Sequence, residues 1–425
     1  MAVYLHICRF SKDMSALQNE LAPRIAIAAG AALSIRVCRT WEELEQFHET
    51  WNGLLRANPA SSIFQTPEWL ASWWQAYGRN RDLFALVFSD STGVVVGIAP
   101  LYADQSYFLG MSLTILRMVG AGSGDSDGLD FITAPGYARD CAQAFIEWLG
   151  AQKKWHVCAL ETLPQNSLVA GCLAESIRAS GIGIDSTLTP NFIIDLPPTW
   201  PQYVSSLESS FRPLLTRYPK RLQSRFTVKF SRCTDVGDLK AHLQTLFDLH
   251  QMRWTGRGET GAFAGKERRD FYYRMATAFL QRGWLEFWLL DLNGETAGAQ
   301  FCFRYNDTVS LLQEGFHPKY AAEKIGYALK AHFLEEMIRT GARRYDFLGG
   351  ADPYKSKFGA HQENYLNLFI AGPSRLAGLY LQVQKQKRRI KAWLKRTLPA
   401  GMAAALRGHA TSRATSPSQK NFQPE

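Results

Sequence analysis

The sequence predicts a mixed α/β protein, α+β in the ordering of its elements. Two tandem units are expected, each a mixed, mainly antiparallel sheet flanked by helices. Three observations lead there. A chain of 425 residues exceeds one ordinary domain, for which roughly 100–200 residues suffice. A proline-rich stretch, Leu196-Pro-Pro-Thr-Trp-Pro201, breaks the middle of the chain. On either side of it the same order recurs: helices, an antiparallel meander, a helix, a strand. The resulting division is a leader over 1–35, a first unit over 36–196, a second over 202–373, and a basic tail over 374–425.

The elements follow from spacing and punctuation. Trp41, Leu44, Phe47, Trp51, Leu54 and Leu55 recur at helical intervals, with Thr40 and Glu43 forming a capping box. A second helix begins at Thr66-Pro67 and stops at Gly78. Strands are expected over 83–88, 94–101 and 113–119, a helix over 138–149, a strand over 155–160 and a helix over 168–179. Two closing strands are expected at 181–186 and 191–196. After the break, helices are expected over 201–208, 212–226, 236–253 and 266–282. Strands follow over 284–290, 296–305 and 308–314, then a helix from Gly326 to Arg339 ended by Gly341. Strands over 344–348 and 365–371 complete the unit.

Composition excludes several classes. The chain is 46% hydrophobic and 20% charged, a globular balance rather than a disordered one. Its net charge is +10, and the whole excess lies in 374–425, so a neutral body carries a basic tail. The seven cysteines show no C-x-x-C spacing, which fits a reducing, cytoplasmic location and argues against zinc. No metal is expected. The apolar run Ile25–Leu33 is too short to span a bilayer, and Asp13 and Glu20 before it argue against a signal peptide.

The stretch 308–358 is the most informative. It reads as strand, loop, helix, strand, turn. The loop ends where Gly326 starts a helix, and Lys319 and Lys324 flank it. The free N–H groups and positive dipole end of a helix start suit an anion. A surface loop that merely caps a helix is the plainer alternative. Asp346, in a strand of Tyr, Phe and Leu, should be paired with Arg343, Arg344 or Lys355, or be functional. Arg217, Arg221 and Arg225 recur every four residues and line one helix face, suited to a phosphorylated acceptor or to solvent. His250, Arg253 and Trp254 share a face near the turn 256–261 and would line an acceptor pocket, unless Trp254 simply packs in the core. The run Gly120–Asp130 lacks P-loop and EF-hand spacing and reads as a flexible cleft loop.

Four segments carry a family resemblance: Phe64-Gln-Thr-Pro-Glu-Trp-Leu-Ala-Ser-Trp-Trp74, Gly97-Ile-Ala-Pro-Leu101, Gly315-Phe-His-Pro-Lys-Tyr320 and Tyr345-Asp-Phe-Leu-Gly-Gly-Ala-Asp-Pro-Tyr-Lys355. With them the chain resembles the GCN5-related N-acetyltransferase (GNAT) superfamily, in its CelD/BcsL type linked to cellulose and exopolysaccharide biosynthesis. It is also similar to the FemAB tandem proteins. The resemblance implies two GNAT-like units and an acyl-CoA donor, acetyl-CoA or another. The donor would be held by His317, Lys319, Lys324, Ile325, Gly326, Tyr327 and Lys355. Acyl transfer needs a base, oxyanion donors and an acid. Glu314, ending the strand before the loop, is the base expected, with Asp346 as a second acidic candidate. Tyr354 matches the tyrosine that protonates the leaving thiolate. The acceptor implied is a sugar or polysaccharide precursor. An aminoacyl-tRNA-dependent transferase stays open, as does a non-catalytic accessory role at a membrane synthase, since the loop has a single glycine.

The tail sets Leu376, Leu379, Tyr380, Val383, Ile390, Trp393 and Leu394 beside eight basic residues between Arg375 and Arg396. Such a helix suits peripheral contact with the inner face of a membrane, or packing on the body. Specific DNA binding is not expected, and 408–425 is too polar to build a core.

Overall fold

The computed structural model describes residues 33–397 apart from 181, 256–260, 351 and 353, with backbone alone at 179, 180, 253–255, 392 and 395–397. The leader to residue 32, most of the turn 256–261 and everything beyond 397 lie outside it.

The first half opens with β1 (Ser34–Cys38), α1 (Trp41–Glu45), α2 (His48–Ala57) and α3 (Pro67–Tyr77). The helix expected over 41–56 is two pieces, parted at Gln46-Phe47. Thr66 caps α3 as expected, its hydroxyl accepting from Trp69 N at 3.3 Å. Next come β2 (Asp82–Leu83), β3 (Ala85–Ser89), β4 (Val95–Ala99), β5 (Leu101–Phe108), β6 (Met111–Met118) and β7 (Ile132–Thr133). Pro100 has no N–H to continue the ladder, and there the meander splits. The strands β1-β3-β4-β7 peel off as a small sheet of their own. Then follow α4 (Ala138–Ala151), β8 (Val157–Pro164), α5 (Leu168–Ser180) and β9 (Ile184–Asp195). The two closing strands expected are one, running through Pro190.

The second half repeats the order without a break in its meander. It contains α6 (Trp200–Ser206), α7 (Arg212–Arg225), β10 (Val228–Arg232), α8 (Val236–Thr255), α9 (Lys266–Gln281), β11 (Leu285–Leu292), β12 (Glu295–Tyr305) and β13 (Thr308–Phe316). A 3-10 turn, Pro318–Glu323, leads to α10 (Ile325–Arg339), β14 (Arg344–Gly349), α11 (Tyr354–Lys357), β15 (His361–Ala371) and α12 (Arg375–Thr397). In both halves the strand after the central helix pairs parallel with the last meander strand, β8 with β6 and β14 with β13.

The halves do not each keep a separate sheet. The large sheet is 11-stranded, ordered β10-β11-β12-β13-β14-β9-β15-β8-β6-β5-β2. Each half gives its last strand to the other: β9 pairs with β14, β15 pairs with β8, and the two donated strands pair with each other. Aromatic packing joins the halves on the helical side. Trp69 of α3 sits edge-on to Phe271 of α9 at 5.0 Å and to Phe303 of β12 at 5.7 Å. The loop 120–130, expected to be flexible, is pinned. Asp125 is buried against Arg268 and Tyr272, Ser126 accepts from the Trp69 indole, and Asp127 accepts from Gly349 N at 2.7 Å. Among the described residues no helix is long and apolar enough to cross a membrane.

Candidate functional site

The parallel pair β13–β14 is short. Only Thr308, Val309 and Ser310 find partners, in Arg344, Tyr345 and Asp346; beyond them the strands part. A cavity of about 550 Å³ lies at this opening, bordered by the end of β13, the turn 318–323, the start of α10 and α11. Glu314, Phe316 and His317 line one side, Lys324, Ile325, Gly326, Tyr327 and Lys330 the α10 side, and Tyr354 and Phe358 the far wall. Lys324 takes a left-handed conformation, φ 55°, and no side chain caps the helix start. The positive end of α10 therefore faces the cavity without a side-chain cap, although Tyr327 N–H already donates to the Lys324 carbonyl at 2.9 Å. Among its described residues the first half has no such arrangement. Its opening between β6 and β8 is bridged by the Arg117–Glu161 ion pair, and β6 runs into the pinned loop rather than a helix.

Glu314 is not isolated. Its Oε2 accepts from Lys330 Nζ at 2.8 Å, and that ammonium lies 3.5 Å from both Tyr345 Oη and Gln300 Oε1. Lys330 is buried in the apolar face of α10. Sequence reasoning passed over it, although a lone lysine among Ala328, Leu329, Ala331, Phe333 and Leu334 is the signal of a buried charge with a partner. Phe316, Met252 and Phe358 were passed over as well, and they give the cavity its apolar lining.

Gly326 is needed for packing. A Cβ there would meet the Phe316 ring at 3.1 Å, so the glycine makes room for an aromatic side chain. His317 caps the 3-10 turn, Nδ1 accepting from Lys319 N at 3.2 Å. Lys319 points away from the cavity into an exposed pair with Glu295 at 2.6 Å. Lys355 is buried, its Nζ donating toward the carbonyls of Phe347, Leu348, Gly349 and Gly350 at 3.4, 3.1, 3.2 and 2.9 Å. It caps the end of β14, with the Phe192 ring of β9 5.8 Å from its Nζ, and does not line the cavity. Burial pushes its pKa down.

Asp346 is buried, and its expected pairing is absent: Arg344 goes to Glu363 at 2.6 Å and Arg343 to Asp307 at 3.4 Å. Asp346 Oδ1 accepts from Leu348 N at 2.7 Å, and Tyr365 Oη donates to Oδ2 at 3.4 Å. Burial, with the charge of Asp127 adding to it, raises the pKa of Asp346 to about 7, while the Leu348 N–H opposes the shift. Neither acid lines the cavity. Tyr354 does, its ring packed edge-on to Phe347 at 6.0 Å and Phe358 at 6.4 Å.

Of the acceptor residues expected from sequence, none whose side chain is described lines the cavity. Arg217 and Arg221 are exposed on α7, and Arg225 pairs with Glu323 beside the turn at 2.5 Å. His250 is buried under Phe263. The side chains of Arg253 and Trp254 lie outside the described residues. A wider groove of about 900 Å³ between α3, α8 and α9 is lined by exposed polar side chains such as Gln75, Gln244 and Lys266, and holds none of the expected site residues. Among the described residues no cluster of His, Cys, Asp or Glu could hold a metal.

Residues 209–356 match the acetyltransferase (GNAT) domain family. The match contains the whole of β13, the turn, α10 and β14. No curated protein matches by sequence. Among solved structures the chain is similar to FemX, at 11% identity and a TM-score of 0.56, covering 78% of this chain and 98% of that one. It is also similar to a conserved protein of unknown function from Bacteroides thetaiotaomicron, at 11% identity and a TM-score of 0.51, covering 80% of this chain and all of that one. At such identity these likenesses speak for the fold.

Proposed function

We propose that this protein, an acyltransferase with a GNAT-type acetyltransferase domain in its second half, takes its acyl group from acyl-CoA bound at the β13–β14 opening. The acceptor proposed is a sugar or polysaccharide precursor of the cell envelope. One observation carries the reading: among the described residues, the second half sets a parted strand end and a helix start without a side-chain cap around one apolar cavity. The α10 N-terminus and Lys324 would hold the donor's diphosphate. Phe316, Tyr327 and Phe358 would line the less polar part of the donor.

In the reaction the acceptor's N–H or O–H attacks the thioester carbonyl. Glu314 accepts the proton released, Tyr354 donates one to the departing thiolate, and the products are the acylated acceptor and free CoA. Lys330 is a positioning residue that fixes the Glu314 carboxylate. The four family-like segments support the envelope acceptor, and so does the exposed basic row of Arg217 and Arg221 on α7, which packs against α10.

Gly326→Asp would crowd Phe316 whatever the ligand, so Lys324→Glu is the cleaner test. Calorimetric titration of CoA and acetyl-CoA into both proteins should show at least about tenfold weaker binding to the variant. No binding of CoA or acetyl-CoA to the unaltered protein, with binding of total tRNA instead, would refute the acyl-CoA donor.

A further inference from the structure

We propose that the end of the large sheet where β5 turns into β6 and α12 begins is a docking surface for the anionic leaflet of a lipid bilayer. This stands independently of the acyl-CoA reading. The argument starts at the hairpin tip. Phe108 and Met111 pair across a two-residue turn, Leu109-Gly110, with φ of 52° and 79°. Positive φ at both positions is the type I′ geometry, which favours Asn-Gly. The chain respects that preference elsewhere. Asn293-Gly294, at 52° and 84°, joins β11 to β12, and Asn306, at 52°, opens the turn between β12 and β13.

That last hairpin is the second half's counterpart of β5–β6. At the matching place the first half holds a leucine, whose side chain clashes in left-handed backbone, and leaves it 70% exposed. Tyr107 and Met111 beside it are 79% and 48% exposed. Residues 107–111 carry no charge. Neither turn propensity nor burial among the described residues accounts for Leu109; a surface that covers it does.

The second observation is α12. Its start is docked on the sheet: Ala377 and Leu381 are buried, Tyr380 lies edge-on to Phe108 at 5.3 Å, and Arg388 pairs with Asp185. Farther along, Ile390 and Trp393 are 56% and 62% exposed. The helix has no acidic residue, and Lys385, Lys387, Arg389 and Lys391 face solvent. The exposed Lys153 and Lys154 precede β8 at the same end, where Ile115, Val157, Ala371 and Ile184 lie on neighbouring strands. Apolar side chains protruding from a field of lysine and arginine complement an anionic interface. The former enter the headgroup region while the latter are attracted to the surface. A nucleic acid would be matched by the charge and would have no use for the hairpin tip.

The test is sedimentation of the full-length protein with phosphatidylcholine vesicles, with and without phosphatidylglycerol, at low and high salt. Pelleting is expected with the anionic vesicles at low salt only. Leu109→Asn suits the turn and so preserves the fold, which thermal melting checks; it should weaken partitioning by about fivefold or more. Ile390→Ser with Trp393→Ser should do likewise. Lys387→Gln, Arg389→Gln and Lys391→Gln together should weaken it by more than about tenfold and flatten the salt dependence. Equal pelleting of Leu109→Asn and the unaltered protein would overturn the role of the hairpin. Absence of vesicle binding, or a dimer in sedimentation equilibrium that Leu109→Asn dissolves, would overturn the lipid assignment.

Discussion

Replacing Lys355 with methionine separates two roles that the sequence leaves entangled. If the ammonium serves a donor phosphate, its loss weakens CoA binding and spares stability. The structure gives it another task, since its Nζ reaches four successive carbonyls from Phe347 to Gly350, the nearest at 2.9 and 3.1 Å, with the side chain 3% exposed. Hydrogen bonds to a charged donor contribute about 1.5–3 kcal/mol each, and the two nearest dominate. Against this stands the cost of burying the ammonium, which burial also expresses as a lowered pKa. Methionine removes both terms and leaves the carbonyls without a donor, so the net loss is on the order of 3 kcal/mol. In a protein of this size each kcal/mol shifts Tm by roughly 2 °C, giving a fall of about 6 °C. Denaturant unfolding at neutral pH reads the loss directly, and calorimetry reads CoA affinity on the folded variant. A variant with unchanged stability and tenfold weaker CoA binding would refute the capping role and restore the phosphate role.

Asp346→Asn should stabilise the protein at pH 8. Folding raises the Asp346 pKa from 3.8 to about 7, so the folded state holds the proton more tightly, and stability falls as pH rises from about 4 to 7 and levels off above. The advantage of the variant, on the order of 4 kcal/mol at pH 8, should shrink below pH 7 and vanish near pH 4; pH-dependent melting checks this. Lys330→Met should destabilise by about 1–3 kcal/mol, because Glu314 loses its partner, and Glu314→Gln added to it should recover part of the loss in denaturant unfolding. Leu109→Asn should raise stability by about 1 kcal/mol by suiting the left-handed backbone, visible as a higher Tm. Trp69→Ala should cost about 3–5 kcal/mol, since the indole fills the junction of the halves, and a chemical melt measures it.

What the sequence disclosed was local. Thr66 and Pro67 start α3 through their own capping and backbone preferences, Gly78 ends it where a Cβ would meet Trp74, and Gly341, at φ 83°, ends the turn after α10 as expected. The helix start at the mouth of the cavity was legible for the same reason; Glu314, expected to end its strand, lies two residues before the end at Phe316. Distant contacts were not legible. Nothing near Asp346 in sequence reveals that Arg343 and Arg344 are taken by Asp307 and Glu363. Lys355 follows a Gly-Gly turn that resembles a phosphate-binding feature, yet the lysine folds back onto that turn. The loop 120–130 looks mobile because glycine and aspartate are turn formers; its order comes from Arg268, Tyr272 and Gly349, more than a hundred residues away. The exchange of β9 and β15 is equally silent, since a strand's sequence records its pleat and its burial and carries no label for its partner.

That exchange has a consequence for biosynthesis. As the chain leaves the ribosome, residues 34–195 can assemble most of a sheet, but β8 has no neighbour on one side until 361–371 has been made. Through the interval the nascent protein displays an open strand edge, the usual template for unwanted pairing. The first half therefore waits for the last strand of the sheet before it closes. A fragment ending near residue 196 would be left in that state permanently. Joining the two termini and reopening the chain within 197–201 would reverse the order of waiting, making the second half the one that stands open until β9 arrives.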